Sequence, residues 1–222
     1  MKKLIILFSL LLISVEACAQ KEISWKTNGK VTIGSHTLKL KMQNIYYGYK
    51  FDNGVYLIGF EIDKKGNNIP TLAWLSAIDT APEYWTFNNV LQEIFILNGQ
   101  VHLLDMNGEI QQLENKTWKK SAIKLKINSR VIDTRNGILA CYPSPLFKSP
   151  PAIGGCYTAN GKWEIKINWR DTAPKICKGY LIVVDQIKNI LWLKKHNITN
   201  GLLLASKEIE DTPKDLCSVD FP

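Results

Sequence analysis

Short apolar segments separated by glycine-containing turns run through most of this chain. The segments are rich in Ile, Val, Leu, Tyr and Phe, and each is four to nine residues long, which is a typical strand length. The clearest are GVYLIGFEI, QEIFIL, QVHLLDM, GILACY, GYLIVVD and ILWLKK. No stretch keeps a 3.6-residue apolar period for three turns, so the pattern predicts strands and no long helix.

The turns between these segments are typical of β-hairpins. Seven of the 14 glycines follow an asparagine. Asn-Gly favours a tight hairpin turn because both residues accept a positive φ. Residues 92–113 are predicted to form a three-stranded meander with turns at Asn98-Gly99 and Asn107-Gly108. We therefore expect an all-β protein.

Two looser repeats suggest how the hairpins are arranged. Asp-Thr occurs four times, at intervals of 54, 38 and 40 residues, beginning at Asp79, Asp133, Asp171 and Asp211. Because Asp, Thr and a nearby Pro favour turns, we interpret these sites as connectors outside the strands. A ring of acids for metal binding or catalysis is the alternative. Three tryptophans recur at intervals of 44 and 45 residues, and each is expected to pack between neighbouring sheets: Trp74, Trp118 and Trp163.

A period of about 40 residues built from hairpins is typical of a β-propeller. We predict a small β-propeller-like repeat fold with four or five blades, and an irregular β-sandwich or barrel is the alternative. The residues after Asp211 would add a strand to the N-terminal strands around Val31–Met42 and so close the ring.

The first 19 residues resemble a secretory leader. Two lysines precede an apolar run from Leu4 to Val15, and Ala17-Cys18-Ala19 gives the small-x-small cleavage pattern. The run of 12 residues is too short to span a membrane, so no transmembrane segment is expected. We predict that residues 1–19 are a signal peptide and that 20–222 form one all-β domain, periplasmic or secreted. A lipid anchor on Cys18 is the alternative.

Four cysteines remain after the leader, at Cys141, Cys156, Cys177 and Cys217. An even number in an exported chain predicts two disulfides, for which three pairings exist. We favour Cys141–Cys156, which would close a Pro-rich segment, together with Cys177–Cys217. No C-x-x-C spacing indicates a zinc site.

Motifs for catalysis are missing from the sequence. It has no nucleotide-binding, serine-hydrolase or zinc-protease motif, and its three histidines lie far apart. We therefore predict no catalytic residues, no metal and no cofactor, and the sequence favours a protein that is not an enzyme. Glu61 and Asp63, two residues apart at a strand end, are the candidate acids of a polysaccharide hydrolase.

Two surface features predict binding. Tyr84 and Trp85 fall in a long connector, DTAPEYWTFNN, and Tyr46 should point away from the core face of its strand. Six cationic residues lie between positions 116 and 130 without an acid, and the candidate contacts among them are Lys119, Lys120, Lys124 and Lys126. A solvated edge strand protected by lysines is the alternative.

The charge and the missing motifs together suggest a function. The net charge is +8, and it becomes +7 without the leader, which predicts an acidic protein or an anionic envelope glycan as partner rather than nucleic acid. We expect an exported, non-enzymatic binding protein, foremost a periplasmic inhibitor such as an immunity protein against an interbacterial toxin. A glycan- or cell-envelope-binding module is one alternative, and a polysaccharide hydrolase whose carboxylates are assembled by the fold is another.

Overall fold

A computed structural model of the chain describes residues 23–52, 54–76, 81–142, 153–168 and 172–221. In these residues, 19 strands form five antiparallel sheets, and the one helical element is the 3-10 turn Leu216–Ser218. Within the same ranges, no helix has the length and apolar character needed to cross a membrane. The expected all-β, propeller-like repeat of four or five blades is confirmed, with five sheets.

The sheets are numbered here in chain order. Sheet 1 contains β1 (Ile23–Trp25), β2 (Lys30–Ile33) and β3 (His36–Lys39). Sheet 2 contains β4 (Gln43–Phe51), β5 (Gly54–Ile62), β6 (Asn68–Ser76) and β7 (Glu83–Thr86). Sheet 3 contains β8 (Leu91–Leu97), β9 (Gln100–Asp105), β10 (Glu109–Glu114) and β11 (Thr117–Lys124). Sheet 4 contains β12 (Arg130–Asp133), β13 (Leu139–Tyr142), β14 (Ile153–Thr158) and β15 (Glu164–Asn168). Sheet 5 contains β16 (Lys175–Cys177), β17 (Tyr180–Ile187), β18 (Ile190–Asn197) and β19 (Leu203–Ile209).

Every sheet is a meander, because the spatial order of its strands follows the chain. The turn at Asn98-Gly99 has φ values of 52° and 76°, both positive as a type I′ turn requires. At the next turn, Gly108 has φ 79°, and the Asp105 carboxylate accepts the N–H groups of Asn107 and Glu109. The predicted meander over residues 92–113 is therefore confirmed.

The middle strands of the sheets are buried on both faces. On β5, Leu57 packs between sheets 1 and 2, and the next residue, Ile58, packs between sheets 2 and 3. On β9, Leu103 and Leu104 divide in the same way between the neighbours of sheet 3. Successive side chains of a strand point to opposite faces, so a sheet covered on both sides needs an unbroken apolar run. This is the origin of sequences such as GVYLIGFEI.

The last sheet is covered by the C-terminal segment. Leu216 is buried against β16 and β17, and Val219 and Phe221 pack on the same cluster. Cys217 forms a disulfide with Cys177 of β16, which holds this segment beside sheet 5. The expectation that the residues after Asp211 add a strand to sheet 1 is therefore wrong.

The Asp-Thr repeat does not mark equivalent positions in the sheets. Asp133 is the last residue of β12, inside sheet 4, so the expectation that it lies outside the strands is wrong. Asp211 lies outside the strands as expected, after the last strand of sheet 5. Asp79 and Asp171 fall outside the described residues.

The regular spacing of the three tryptophans likewise does not mark equivalent positions in the sheets. Trp74 and Trp118 both pack between sheets 2 and 3, whereas Trp163 packs between sheets 4 and 5. The expectation that each packs between neighbouring sheets is therefore confirmed, but the three do not occupy one boundary each, as their regular spacing suggested. Instead, the aromatic side chains are concentrated at the boundary between sheets 2 and 3.

Candidate functional site

Tyr84 and Trp85 lie on an edge strand rather than in a connector. They belong to β7, where Tyr84 is opposite Ala73 and Trp85 is opposite Leu72 of β6. The strand has four residues and follows a proline, so its sequence resembles a loop. The predicted long connector is therefore wrong at these positions, and the pairing fixes the two aromatic side chains on opposite faces of the strand.

Tyr84 faces sheet 1. Its hydroxyl accepts the backbone N–H of Lys41 at 3.4 Å, and the Lys41 ammonium lies 4.9 Å from the ring centroid. Burial raises the pKa of the Tyr84 hydroxyl. Tyr84 packs on the cluster between sheets 1 and 2, so it is engaged within the fold.

Trp85 faces sheet 3, where it meets two more aromatic rings. Its Nε1 donates to the carbonyl oxygen of Lys116 at 3.1 Å. The Trp85 and Trp118 ring centroids are 6.1 Å apart at 88°, and those of Phe87 and Trp118 are 6.2 Å apart at 69°. The Trp118 Nε1–H is buried without an acceptor among the described residues. The three rings therefore join β7 to β11 at the boundary of the two sheets.

These rings line an open groove of about 690 Å³ between β7 and the pair β10 and β11. Such a volume lies within the usual range for small-ligand sites, about 300–1,000 Å³. Besides Tyr84, which also lines the groove, the uncharged polar side chains of the lining are Thr86, Asn88, Asn89, Gln111 and Thr117. Its charged members are Asp105, Glu109 and Lys116. The groove thus combines aromatic rings with amides and hydroxyls.

Asp105 is committed to the turn that follows β9. It is 3% exposed. Its Oδ1 accepts the N–H groups of Asn107 and Glu109, each at 2.9 Å, and its Oδ2 accepts the Asn89 amide at 2.7 Å. Both carboxylate oxygens therefore already have donors, and Asp105 holds the groove floor rather than offering a proton.

Glu109 is bridged by two lysines. Its Oε1 lies 2.9 Å from the Lys120 ammonium and 3.5 Å from that of Lys124. The hydrogen bond from Lys120 is the main cause that lowers the pKa of Glu109. A general acid needs a raised pKa, so Glu109 is unsuited to that role.

The four candidate lysines are each paired with a carboxylate from another strand. Lys119 lies 2.7 Å from Glu114 of β10, and Lys120 and Lys124 share Glu109. Lys126 lies 2.6 Å from Glu164 of β15. Because β11 is the edge strand of sheet 3, this arrangement matches the lysine-protected edge rather than an unopposed positive patch.

Lys126 also connects sheet 3 to sheet 4. Its ammonium lies 4.2 Å from the Tyr142 ring centroid and 5.0 Å from that of Tyr157. The Tyr142 hydroxyl donates to the Glu164 carboxylate at 2.5 Å. Lys126 therefore already occupies an aromatic and acidic site of its own chain.

Tyr46 bridges sheets 2 and 3 while keeping 46% of its surface exposed. Its hydroxyl donates to the carbonyl oxygen of Leu91 at 2.5 Å, and its ring lies 5.5 Å from Phe60. Burial raises the pKa of the Tyr46 hydroxyl. Tyr46 is outside the lining of the groove that holds Trp85, so the structure does not bring these two candidates together.

Sequence reasoning missed a buried acid, Glu93 of β8, which is 5% exposed. Its Oε1 accepts the N–H of Val131 at 2.5 Å, and its Oε2 lies 3.6 Å from Nε of Arg130. Burial raises the pKa of Glu93 to about 7. Burial, and to a smaller extent the negative charge of Glu93, raises the pKa of Tyr47 to about 12. The available signal was the position of the acid inside the apolar segment QEIFIL.

Of the two predicted acids of a hydrolase, Glu61 and Asp63, the second has a structural role. Asp63 Oδ1 accepts the N–H groups of Lys65 and Asn67 at 2.8 Å, and its Oδ2 accepts the Asn67 side-chain amide at 2.9 Å. This amide is the main cause that lowers the pKa of Asp63. Asp63 therefore stabilises the turn between β5 and β6. Across the described ranges, no three His, Cys, Asp or Glu side chains cluster as a metal site.

The cysteines pair as expected. Cys141 and Cys156 are opposite each other on β13 and β14, with Cα atoms 4.0 Å apart, and Cys177 is bonded to Cys217. These two disulfides fit an extracellular or secreted protein. The predicted leader with Cys18 and most of the Pro-rich segment, 143–152, lie outside the described residues.

Comparisons with known proteins give structural likeness only. No protein-family model and no curated protein sequence matches the chain. The structure of Kluyvelomyces marxianus Hsv2 matches 83% of this chain and 60% of its own, with a TM-score of 0.47 and 9% identity. The AfRom2 CNH domain matches 82% of this chain and 65% of its own, with a TM-score of 0.46 and 12% identity. This chain therefore spans less than two thirds of either structure.

Proposed function

We propose that the chain is an exported, non-enzymatic binding protein and that the groove between sheets 2 and 3 is its contact surface. The observation that carries this proposal is the set of rings Trp85, Phe87 and Trp118 along an open groove. Aromatic side chains supply large contact areas and often dominate binding energy. The two acids of the groove are held by hydrogen bonds, which favours binding over proton transfer.

Export is the second part of the proposal. The leader-like sequence of residues 1–19 and the two disulfides support a periplasmic or secreted location. Lipid attachment at Cys18 is the alternative. Mass spectrometry of the mature protein tests this part, because a cleaved soluble form begins at residue 20 and an acylated form begins at Cys18.

An immunity protein that blocks an interbacterial toxin is one form of the proposal. An inhibitor of this kind needs a surface that fits the active site of the toxin, and strands β7 and β11 at the groove would provide it. Co-production with a secreted toxin encoded by a neighbouring gene tests this form. Protection of the producing cell is the expected result, and unchanged killing contradicts it.

A glycan- or envelope-binding module is the second form. The uncharged amides and hydroxyls beside the aromatic rings favour it. The remaining alternative, a polysaccharide hydrolase, would release reducing sugar from cell-wall or capsular polysaccharide, and Glu61→Gln would abolish that release. Such a result would overturn the proposal of a non-enzymatic protein.

The decisive experiment is recovery of a ligand from envelope extract by the wild type and by Trp85→Ala. We expect Trp85→Ala to weaken binding by at least about 2 kcal/mol, because it removes a ring that lines the groove. Trp192→Ala is the matched control, since Trp192 is half-buried on β18 of sheet 5. Folding of each variant is checked by thermal melting. If Trp85→Ala unfolds, Trp85→Phe keeps a ring while removing the bond to Lys116.

Charge reversal tests the electrostatic part separately. If an acidic partner is steered by the β11 lysines, Lys124→Glu should slow association, most strongly at low salt. Because Lys124 and Lys120 already share Glu109, we expect this decrease in association rate to be small.

Equal binding by wild type, Trp85→Ala and Trp192→Ala would contradict the groove as contact surface.

A further inference from the structure

We infer that the groove takes an uncharged, polyhydroxylated ligand, namely a segment of neutral polysaccharide. This inference rests on the proposed function, because it names the ligand of the same groove. It also differs from the acidic or anionic partner that the net charge of the chain predicts.

The first argument is the charge of the groove. Each of its charged side chains already has partners within the protein: Asp105 accepts backbone N–H groups and the Asn89 amide, Glu109 pairs with two lysines, and Lys116 lies 2.6 Å from Glu83. An ionic ligand would compete with these partners. A neutral ligand leaves all of them in place.

The second argument is the supply of hydrogen-bonding groups. Asn88, Gln111 and Thr117 line the groove and make no side-chain hydrogen bond with the other described residues. An amide offers two N–H donors and a carbonyl acceptor, and a hydroxyl does both. Neighbouring hydroxyl groups on a sugar ring present donors and acceptors at matching spacing.

The third argument is the aromatic side. Trp85, Phe87 and Trp118 are half-buried, so part of each ring reaches the groove. The face of an aromatic ring carries partial negative charge. The C–H groups of a sugar ring are weakly positive and lie on one face, so they stack on such rings while the hydroxyl groups reach the amides.

The test is calorimetric titration of the full mature protein with soluble neutral hexasaccharides of glucose, mannose, galactose and N-acetylglucosamine. We expect at least one to bind with a Kd below about 1 mM. Its affinity should stay the same from about 0.05 to about 0.5 M salt, since no ion pair forms. Polygalacturonate, an anionic chain, should bind more weakly.

Two adjacent glutamines on β10 give a matched pair of variants. Gln111→Ala should lower the affinity at least about fivefold, because it removes a groove hydrogen bond. Gln112→Ala should leave the affinity unchanged, since Gln112 lies outside the groove and bonds to Gln100 at 2.6 Å. If Gln111→Ala lowers the melting temperature, the exposed Asn88→Ala provides the same test.

Each negative result has a distinct meaning. If none of the neutral hexasaccharides binds, or if polygalacturonate binds best with steep salt dependence, the inference is overturned. If an envelope protein is still captured through Trp85, the proposed binding function stands and only the ligand class is wrong. Equal losses for Gln111→Ala and Gln112→Ala would place sugar binding outside the groove and also overturn the inference.

Discussion

Glu93→Gln should remove a loss of stability that occurs with rising pH at the boundary between sheets 3 and 4. Glu93 is 5% exposed, and its carboxylate accepts the N–H of Val131 on β12. Glutamine keeps the shape and a carbonyl acceptor but removes the negative charge. The variant therefore isolates the effect of burying that charge.

The magnitude follows from the pKa of Glu93, which burial raises from 4.5 to about 7. At about 1.4 kcal/mol for each pH unit, this difference corresponds to about 3 kcal/mol. Because the folded protein holds the proton more tightly, the contribution is fully present below about pH 4.5 and is lost as the pH rises through about 7. Tyr47, whose pKa is about 12, stays neutral across this window.

The assay is urea unfolding of wild type and Glu93→Gln at several values between about pH 4.5 and about pH 8.5. The free energy of unfolding of the variant, relative to wild type, should rise by about 3 kcal/mol across this range. Glu109→Gln is the control. Lys120 lowers the pKa of Glu109 below 4.5, so the stability of that variant relative to wild type should stay nearly constant across this range and change only at lower pH. A difference between Glu93→Gln and wild type that stays constant with pH would refute the reasoning.

Two further predictions concern the turns and the disulfides. Gly108→Ala should destabilise the protein by more than about 2 kcal/mol, because φ is +79° and a Cβ would lie 2.2 Å from the Leu125 carbonyl oxygen. Gly99→Ala, with φ +76° and open space, should cost only about 1 kcal/mol, and equal losses in thermal unfolding would contradict the clash. Replacing Cys177 and Cys217 by serine should cost about 4 kcal/mol, and replacing Cys141 and Cys156 about 3 kcal/mol, since the closed loops differ in length. Hydrogen exchange should rise at Leu216–Ser218 in the first variant only, and an unchanged exchange rate there would contradict the role of that disulfide.

The repeated sheets were predictable because their signals are local. The segment Gly54–Ile62 was identified as a strand to the residue, since an Asn-Gly pair in the sequence marks its start and polar residues follow it. The disulfide pairs were also predicted, because Cys141 and Cys156 are close in the chain and their pairing leaves Cys177 for Cys217. The role of the C-terminal segment was not, because its packing depends on sheet 5 and not on its own pattern.

The site was harder to predict, since its chemistry depends on which strands become neighbours. The lysine run around Lys126 contains no acid, yet Glu164 reaches Lys126 from 38 residues away once β15 is in place. Trp85 looked like a loop residue because β7 is short, and its contact with Trp118 crosses from one sheet to the next. The buried Glu93 finds its partner in Val131 of sheet 4, which no local pattern around Glu93 indicates. None of these contacts is encoded within a single hairpin.

The two disulfides set different conditions on the order of events as the chain emerges. Cys141 and Cys156 lie on adjacent strands of one meander, so they can oxidise as soon as that hairpin is complete. Cys177 can form its disulfide only after Cys217 has been synthesised, and only then is the apolar face of sheet 5 covered. Until then sheet 5 has an uncovered surface on which Leu216 will later pack. The second disulfide therefore forms only after Cys217 has been synthesised, and a chain interrupted before Cys217 would leave Cys177 as a lone thiol beside an uncovered, aggregation-prone apolar surface.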